Sequence, residues 1–268
     1  MERPIAIFDS GMGGLTVVKE IHSLMPGKNI IYLGDTARVP YGTKSSDVIK
    51  GYAKQITKFL STFNPWVVVV ACHTVSSLAL NFLKRNFPQL YFIDVVTPSV
   101  DESISITKNY RIGVIGTPAT ISSGKYQKLI KNANPGIKVF SQPCPLFVPL
   151  VEEGWIKGDV PEIIAKKYLS GLINKKIDTI ILGCTHYPIL KKVIQNVLGR
   201  DINLIDASEV TGLKVKTFFE KKNMLKYEVE KSPVLYFTDV TKDHKKIINF
   251  FWKNHKLTVR RITLENHV

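Results

Sequence analysis

The 268-residue sequence predicts an α/β fold built on mostly parallel sheets, and three observations carry that prediction. Short apolar runs rich in β-branched residues alternate with longer amphipathic segments. The runs are apolar at successive positions, as strands buried on both faces are. Several of them also stop in the same way, at a small residue followed by a short polar group, and in open α/β sheets ligands bind at these carboxyl ends.

In chain order, IAIF (5–8) leads through Asp9 and Ser10 into DSGMGGLTV (9–17), which reads as a strand, a glycine-rich turn and a helix start. The turn fails the dinucleotide fingerprint, because Thr16 stands where the third glycine belongs after Gly11 and Gly13. It is left either as a packing turn or as a cradle of N–H groups for a small anion such as a carboxylate. IIYLG (30–34) closes on Asp35 and Thr36, and the loop GDTARVPYGTKS (34–45) can present the backbone N–H groups of Tyr41 and Gly42. VVVVA (67–71) stops at Cys72, His73 and Thr74. YFIDVV (91–96), RIGVIG (111–116) ending at Thr117, and IKVF (137–140) follow. TIILG (179–183) stops at Cys184, Thr185 and His186; INLID (202–206) and PVLYF (233–237) complete the set.

VVVVACHT and TIILGCTH echo one another, each an apolar strand, a small residue, then cysteine with His and Thr in swapped order. The echo suggests two similar lobes that each bring one thiol to a shared cleft. The expected domains are 1–94 with 206–268, and 95–205, with crossings at VVTPS (95–99) and LIDAS (204–208).

Composition bounds the function classes. The hydrophobic fraction of 44% suits a globular chain that buries its own cores, and no uncharged apolar run reaches the roughly 18 residues of a membrane span. The N-terminus has no secretory pattern, so a cytoplasmic location is expected. Three widely spaced cysteines argue against a disulfide framework. The net charge of +15 divides evenly, as +4, +6 and +5 over residues 1–94, 95–205 and 206–268. An even excess reads as a solvated basic surface, and a nucleic-acid partner stays secondary.

A free cysteine is most often a small buried hydrophobe, and Cys144, flanked by prolines in SQPCPLF, is read that way. Cys72 and Cys184 differ, because each sits at a strand-to-helix turn, where helix N–H groups favour the thiolate. No zinc-type spacing accompanies them, so no metal is expected. His22 lies in a helix-like stretch, and His244, His255 and His267 in a Lys-rich tail read as solvated. In PLVEEGW (149–155), Glu152 and Glu153 read as a solvated helix end unless one of them orients a histidine.

Two thiols across a cleft suit inversion of a carbon stereocentre, one removing a proton from one face while the other returns one to the opposite face. Asp9 beside Cys72 and His186 beside Cys184 are the natural helpers. No Schiff-base lysine motif is evident, so no cofactor is required.

With these residues in place, the chain resembles the cofactor-independent glutamate racemases of bacterial cell-wall synthesis. IAIFDSGMGGLTV, YLGDTARVPYG, VVVACHTVSS, VIGTPATISSGKY, CPLFVPLVEEG and ILGCTHYPIL appear in that family's order. The resemblance implies two α/β lobes related by pseudo-twofold symmetry, with the active site between them. It also implies a homodimer and the supply of D-glutamate for peptidoglycan. By position, Cys72 and Cys184 become the acid/base thiols, assisted by Asp9 and by His186 with Glu152. Substrate contacts fall to Ser10, Tyr41, Gly42, His73, Thr74, Thr117 and Thr185. Aspartate racemases look similar but typically carry Glu where this chain has His186, which favours glutamate. One departure stands out: the family's block reads Cys-Asn-Thr, and here His73 takes the amide's place. A bulkier imidazole, titrating near pH 6.5, leaves open a racemase for another amino acid. It also leaves open a weakly active racemase-like protein that binds DNA or gyrase.

Overall fold

Continuous apolar runs become strands buried on both faces, and the polar groups behind them gather at one end of each sheet. The computed structural model describes residues 3–225, 229–241, 248, 252 and 257–264. His244, His255 and His267 lie outside the described residues. The strands are β1 (Ile5–Asp9), β2 (Ile30–Gly34), β3 (Val67–Val70), β4 (Phe92–Asp94), β5 (Arg111–Gly116), β6 (Lys138–Pro143), β7 (Thr179–Gly183), β8 (Asn203–Ile205), β9 (Val234–Phe237) and β10 (Thr258–Arg261). Early in the chain come helices α1 (Leu15–Leu24), α2 (Ser46–Ser61), α3 (His73–Leu78), α4 (Leu80–Asn86) and α5 (Val96–Ile106). They are followed by α6 (Pro118–Ser122), α7 (Lys125–Ala133), α8 (Phe147–Glu152), α9 (Asp159–Ile173), α10 (Lys191–Leu198) and α11 (Ala207–Glu220).

Among the described residues all pairings are parallel, in one sheet ordered β10-β9-β2-β1-β3-β4 and another ordered β6-β5-β7-β8. Side-chain alternation along β1 sends Ile5 and Ile7 into one core and Ala6 and Phe8 into another, which is why that run has no polar position. In β7, Ile180 and Leu182 face one core and Ile181 the other. The two sheets repeat one local order, since β2-β1-β3-β4 matches β6-β5-β7-β8. In each, the chain leaves a central strand to one side and then crosses to the other, so a switch point falls between β1 and β3 and between β5 and β7. Cys72 follows β3 and Cys184 follows β7, at equivalent places.

Some runs are cut or extended by forces that the local pattern does not contain. YFIDVV yields only a three-residue strand, because Asp94 Oδ1 accepts from the N–H groups of Val96 (2.8 Å) and Thr97 (2.9 Å) and starts α5 there. β6 runs on through Ser141, Gln142 and Pro143, two polar residues and a proline that an edge strand tolerates. β10, an exposed TVRR edge, escapes the hydrophobic pattern altogether.

After β8 the chain returns to the first sheet. Helix α11 packs on α1, where a Cβ on Gly212 would meet Leu24 Cδ1 at 3.1 Å, and β9 then pairs with β2. Two helical glycines have no such neighbour: a Cβ on Gly51 of α2 or Gly171 of α9 meets nothing within 4 Å. Replacing either by alanine is therefore expected to raise stability by roughly 0.5–1 kcal/mol, read from urea midpoints. Among the described residues, no helix is long and apolar enough to cross a membrane.

Candidate active site

The site is assembled from the carboxyl ends of β1, β3, β5 and β7. β1 delivers Asp9, fully buried, whose Oδ2 accepts from the N–H groups of Gly14 (2.8 Å) and Gly11 (3.4 Å) and from Thr185 Oγ1 (3.4 Å). Thr185 follows β7, so this last bond joins the two sheets' loops. The glycine turn thus spends N–H groups on the chain's own carboxylate, and its glycines answer to space. A Cβ on Gly14 would lie 2.5 Å from Asp9 Cβ, and one on Gly13 would lie 2.4 Å from Thr185 Oγ1 and 2.8 Å from His186 Nδ1. The N–H groups of Gly11 and Gly14 thus hold the chain's own Asp9 carboxylate, and Gly13 makes room for the loop after β7.

Cys72 caps the N-terminus of α3, buried, with Sγ 3.6 Å from Ser10 Oγ. The expectation that this turn favours the thiolate is overturned. Burial, joined by the nearby Asp9 charge, pushes the Cys72 thiol up to about 12 against the opposing hydrogen bonds from Val75 N–H and Ser10. Six residues of α3 and two hydrogen bonds do not offset the loss of water.

The other thiol has different company. Cys184 Sγ lies 3.8 Å from His186 Nδ1, and His186 Nε2 lies 3.3 Å from Glu152 Oε1 at the end of α8. That second contact is an ion-pair distance without hydrogen-bond alignment, since Nε2 has no hydrogen-bond partner. Burial works against a charged ring, but Cys184 and Glu152 outweigh it and raise His186 to about 10. A thiolate formed at Cys184 faces an imidazolium, whereas one formed at Cys72 faces Asp9 and a serine hydroxyl.

His73 is 2% exposed, and burial lowers it to about 3, so the expected charge change near pH 6.5 does not occur in the folded protein. Its Nδ1 lies 2.7 Å from Tyr126 Oη on α7. Thr74 Oγ1 meets Thr117 Oγ1 at 3.2 Å and Thr120 Oγ1 at 3.3 Å, a hydroxyl cluster between loops of the two sheets. Tyr41 turns its hydroxyl to Asp35, and a Cβ on Gly42 would meet Thr117 Cβ at 2.7 Å.

These groups enclose a cavity of about 200 Å³, below the ~300 Å³ at which drug-sized pockets begin and scaled to a small molecule. Of the residues expected to form a site, Ser10, Tyr41, Gly42, Cys72, His73, Thr74, Thr117, Glu152, Cys184, Thr185 and His186 line it, while Asp9 sits behind Cys72 and Thr185. Pro145, Val148 and Pro149 add an apolar wall that the sequence reading passed over, although CPLFVPL advertises it as an apolar, proline-rich stretch. Tyr126 and Thr120 were also missed, and no local signal marks them. Cys144 is fully buried in the core around β7. Among the described residues, no group of three His, Cys, Asp or Glu is placed to hold a metal.

The titrations give stability a maximum. His73, lowered from 6.5 to about 3, contributes stability that is complete above pH 6.5 and is lost as pH falls toward 3. His186, raised to about 10, contributes stability that is complete below pH 6.5 and is lost as pH rises through 10. Cys72, raised from 9 to about 12, adds a further loss above pH 9. Urea midpoints between pH 4 and 10 should peak near pH 6.5, and His73→Asn should flatten the acid side alone.

Two thiols at matching switch points face one small cavity from different sheets, an arrangement that fits a class of enzyme that moves protons at both faces of a small ligand. Comparison with known proteins agrees with that class. A profile described as Asp/Glu/Hydantoin racemase matches residues 14–211. The glutamate racemase of Aquifex aeolicus is 48% identical over 244 residues, covering 91% of this chain and 92% of that protein. The glutamate racemase of Chlorobaculum tepidum is 42% identical over 251 residues, covering 93% and 92%. The crystal structure of glutamate racemase from Francisella tularensis in complex with D-glutamate superposes with a TM-score of 0.92 at 38% identity, covering 99% of each chain. The chain belongs to the Asp/Glu/hydantoin racemase family.

Proposed function

We propose that the protein interconverts L- and D-glutamate by deprotonating the α-carbon on one face and reprotonating it on the other, with Cys72 and Cys184 as the acid/base pair. The placement of both thiols at equivalent strand ends around one amino-acid-sized cavity is the observation that carries this reading. Its substrate is taken from the relatives' names.

At rest Cys72 holds its proton at neutral pH, since burial and Asp9 push it up to about 12, so it is the donor in the direction in which Cys184 acts as base, and the two thiols exchange roles in the reverse direction. The His186 ring beside Cys184 stays positive and is steadied by Glu152. Thr74, Thr117 and Thr185 supply hydroxyls to the substrate, and Ser10 and the backbone at Tyr41 and Gly42 complete its contacts. After each turnover the proton positions are exchanged, and proton exchange with solvent restores them. Residues 1–94 with 206–268, and 95–205, are the two domains in this reading. A homodimer in the cytoplasm, supplying D-glutamate for peptidoglycan, belongs to the same proposal.

Incubation of purified protein with L-glutamate should bring the circular dichroism of the solution to zero, and the same should follow from D-glutamate. Retained optical activity with glutamate would overturn the assignment. Deuterium wash-in at the α-carbon of other amino acids would then identify the substrate that His73 selects.

A further inference from the structure

His73 and Tyr126 lie 53 positions apart in sequence and come from opposite sides of the cleft, on α3 and α7. Both are buried, at 2% and 1% exposure, and their rings meet edge to edge, with centroids 6.3 Å apart and 25° between planes. Nδ1 of His73 is engaged by the tyrosine at 2.7 Å. Nε2 is buried and has no hydrogen-bond partner among the described residues, in a side chain that lines the cavity. A neutral imidazole carries one N–H, so whichever nitrogen holds it decides whether Nε2 offers a donor or a lone pair to a ligand that reaches it.

We propose that Tyr126 is a positioning residue that donates its hydroxyl to His73 Nδ1 and so holds the ring as the Nε2–H tautomer, giving the cavity one fixed N–H for a carboxylate of the substrate. The proposal rests on the racemase reading only for the identity of that substrate. A carboxylate accepts and cannot donate, so it is held by Nε2–H and repelled by a bare Nε2 lone pair. Burial keeps the tyrosine's hydroxyl protonated far beyond neutral pH, so it has a proton to give, and its two hydrogen-bonding neighbours among the described residues are His73 Nδ1 at 2.7 Å and the Ser99 hydroxyl. Since the donor comes from α7 and the ring from α3, the N–H is set only when both sides of the cleft are in place. An asparagine amide carries donor and acceptor on one freely rotating group and needs no such partner. The exchange of that amide for His73 thus makes Tyr126 a determinant of how the substrate carboxylate is held.

The experiment is ¹⁵N-histidine labelling of the full chain, with the His73 ring assigned by its loss in His73→Asn. At pH 6–8 the native ring should show a protonated Nε2 and a bare Nδ1, and Tyr126→Phe should shift it to the other tautomer or to a mixture. In the same variant, KM for glutamate should rise about tenfold, the worth of one hydrogen bond, while kcat changes less than about twofold. In a His73→Asn background, Tyr126→Phe should add nothing further to KM, which a merely structural role of the tyrosine would not produce. A native ring protonated at Nδ1, an unaltered tautomer in Tyr126→Phe, or an equal KM penalty in both backgrounds would overturn the proposal. The tautomer is read without turnover, so a protein inactive on glutamate but showing the Nε2–H ring would fail the racemase reading alone. If Tyr126→Phe does not fold, the native tautomer spectrum alone still decides the hydrogen-bond direction.

Discussion

Cys72→Ala and Cys184→Ser should each reduce inversion of glutamate by roughly 10³-fold or more, because each removes one of two groups that move a proton in the transition state. The sharper expectation concerns what survives. With one thiol left, a variant can still remove and return a proton on that thiol's own face. In D₂O, each variant should therefore exchange the α-hydrogen of a single enantiomer without inverting it, and the two variants should act on opposite enantiomers. Mass spectrometry of the recovered amino acid, after separation of enantiomers, reads this directly. Exchange of the same enantiomer by both variants would place both thiols on one face and end the two-face mechanism. Cys72 is pushed up to about 12, so alkylation at Cys72 should stay slow up to about pH 10.

Gly13→Ala should cost more than any other single methyl group placed in the glycine turn's contact with the second lobe. Its Cβ would stand 2.4 Å from Thr185 Oγ1, 2.9 Å from Thr185 Cβ and 2.8 Å from His186 Nδ1. Neither neighbour can swing away freely, since Thr185 is tied to Asp9 and His186 lies between Cys184 and Glu152. Relief has to come from moving the two strand ends apart, and a misplacement near 1 Å in a catalytic pair costs about 10²-fold in rate. The expected result is a fall in kcat/KM of about that size with a stability loss of about 1–3 kcal/mol. Gly171→Ala, which meets open space, serves as the control and should leave kcat/KM unchanged. Full activity in Gly13→Ala would mean that the two loops do not close on one another during turnover.

The α/β class, the parallel pairing and most strand positions could be read from runs such as IAIF, VVVVA and TIILG, because burial on both faces of a sheet leaves its mark in consecutive residues. The same local logic separated Cys72 and Cys184, at strand ends, from Cys144, which is core. It also picked out most of the polar lining of the cavity, since strand-end polar residues converge wherever parallel strands do, but not its apolar wall. Two edge segments were beyond it: β10 and the end of β6 lie at the surface and carry no apolar signature.

Protonation and partnership were decided by tertiary structure alone. The thiolate expected at Cys72 from its helix turn gives way to a thiol, because desolvation and Asp9 come from the whole fold and not from α3. The imidazole expected to titrate near neutrality is held neutral by burial, and its partner Tyr126 comes from the other side of the cleft. The glycine turn that sequence left as either anion cradle or packing proves to be shaped by Thr185 and His186. Local patterns record which residues are buried, because burial repeats with the period of a strand or helix. A proton's free energy, and the identity of a hydrogen-bond partner, depend on atoms brought near by folding and have no period to read.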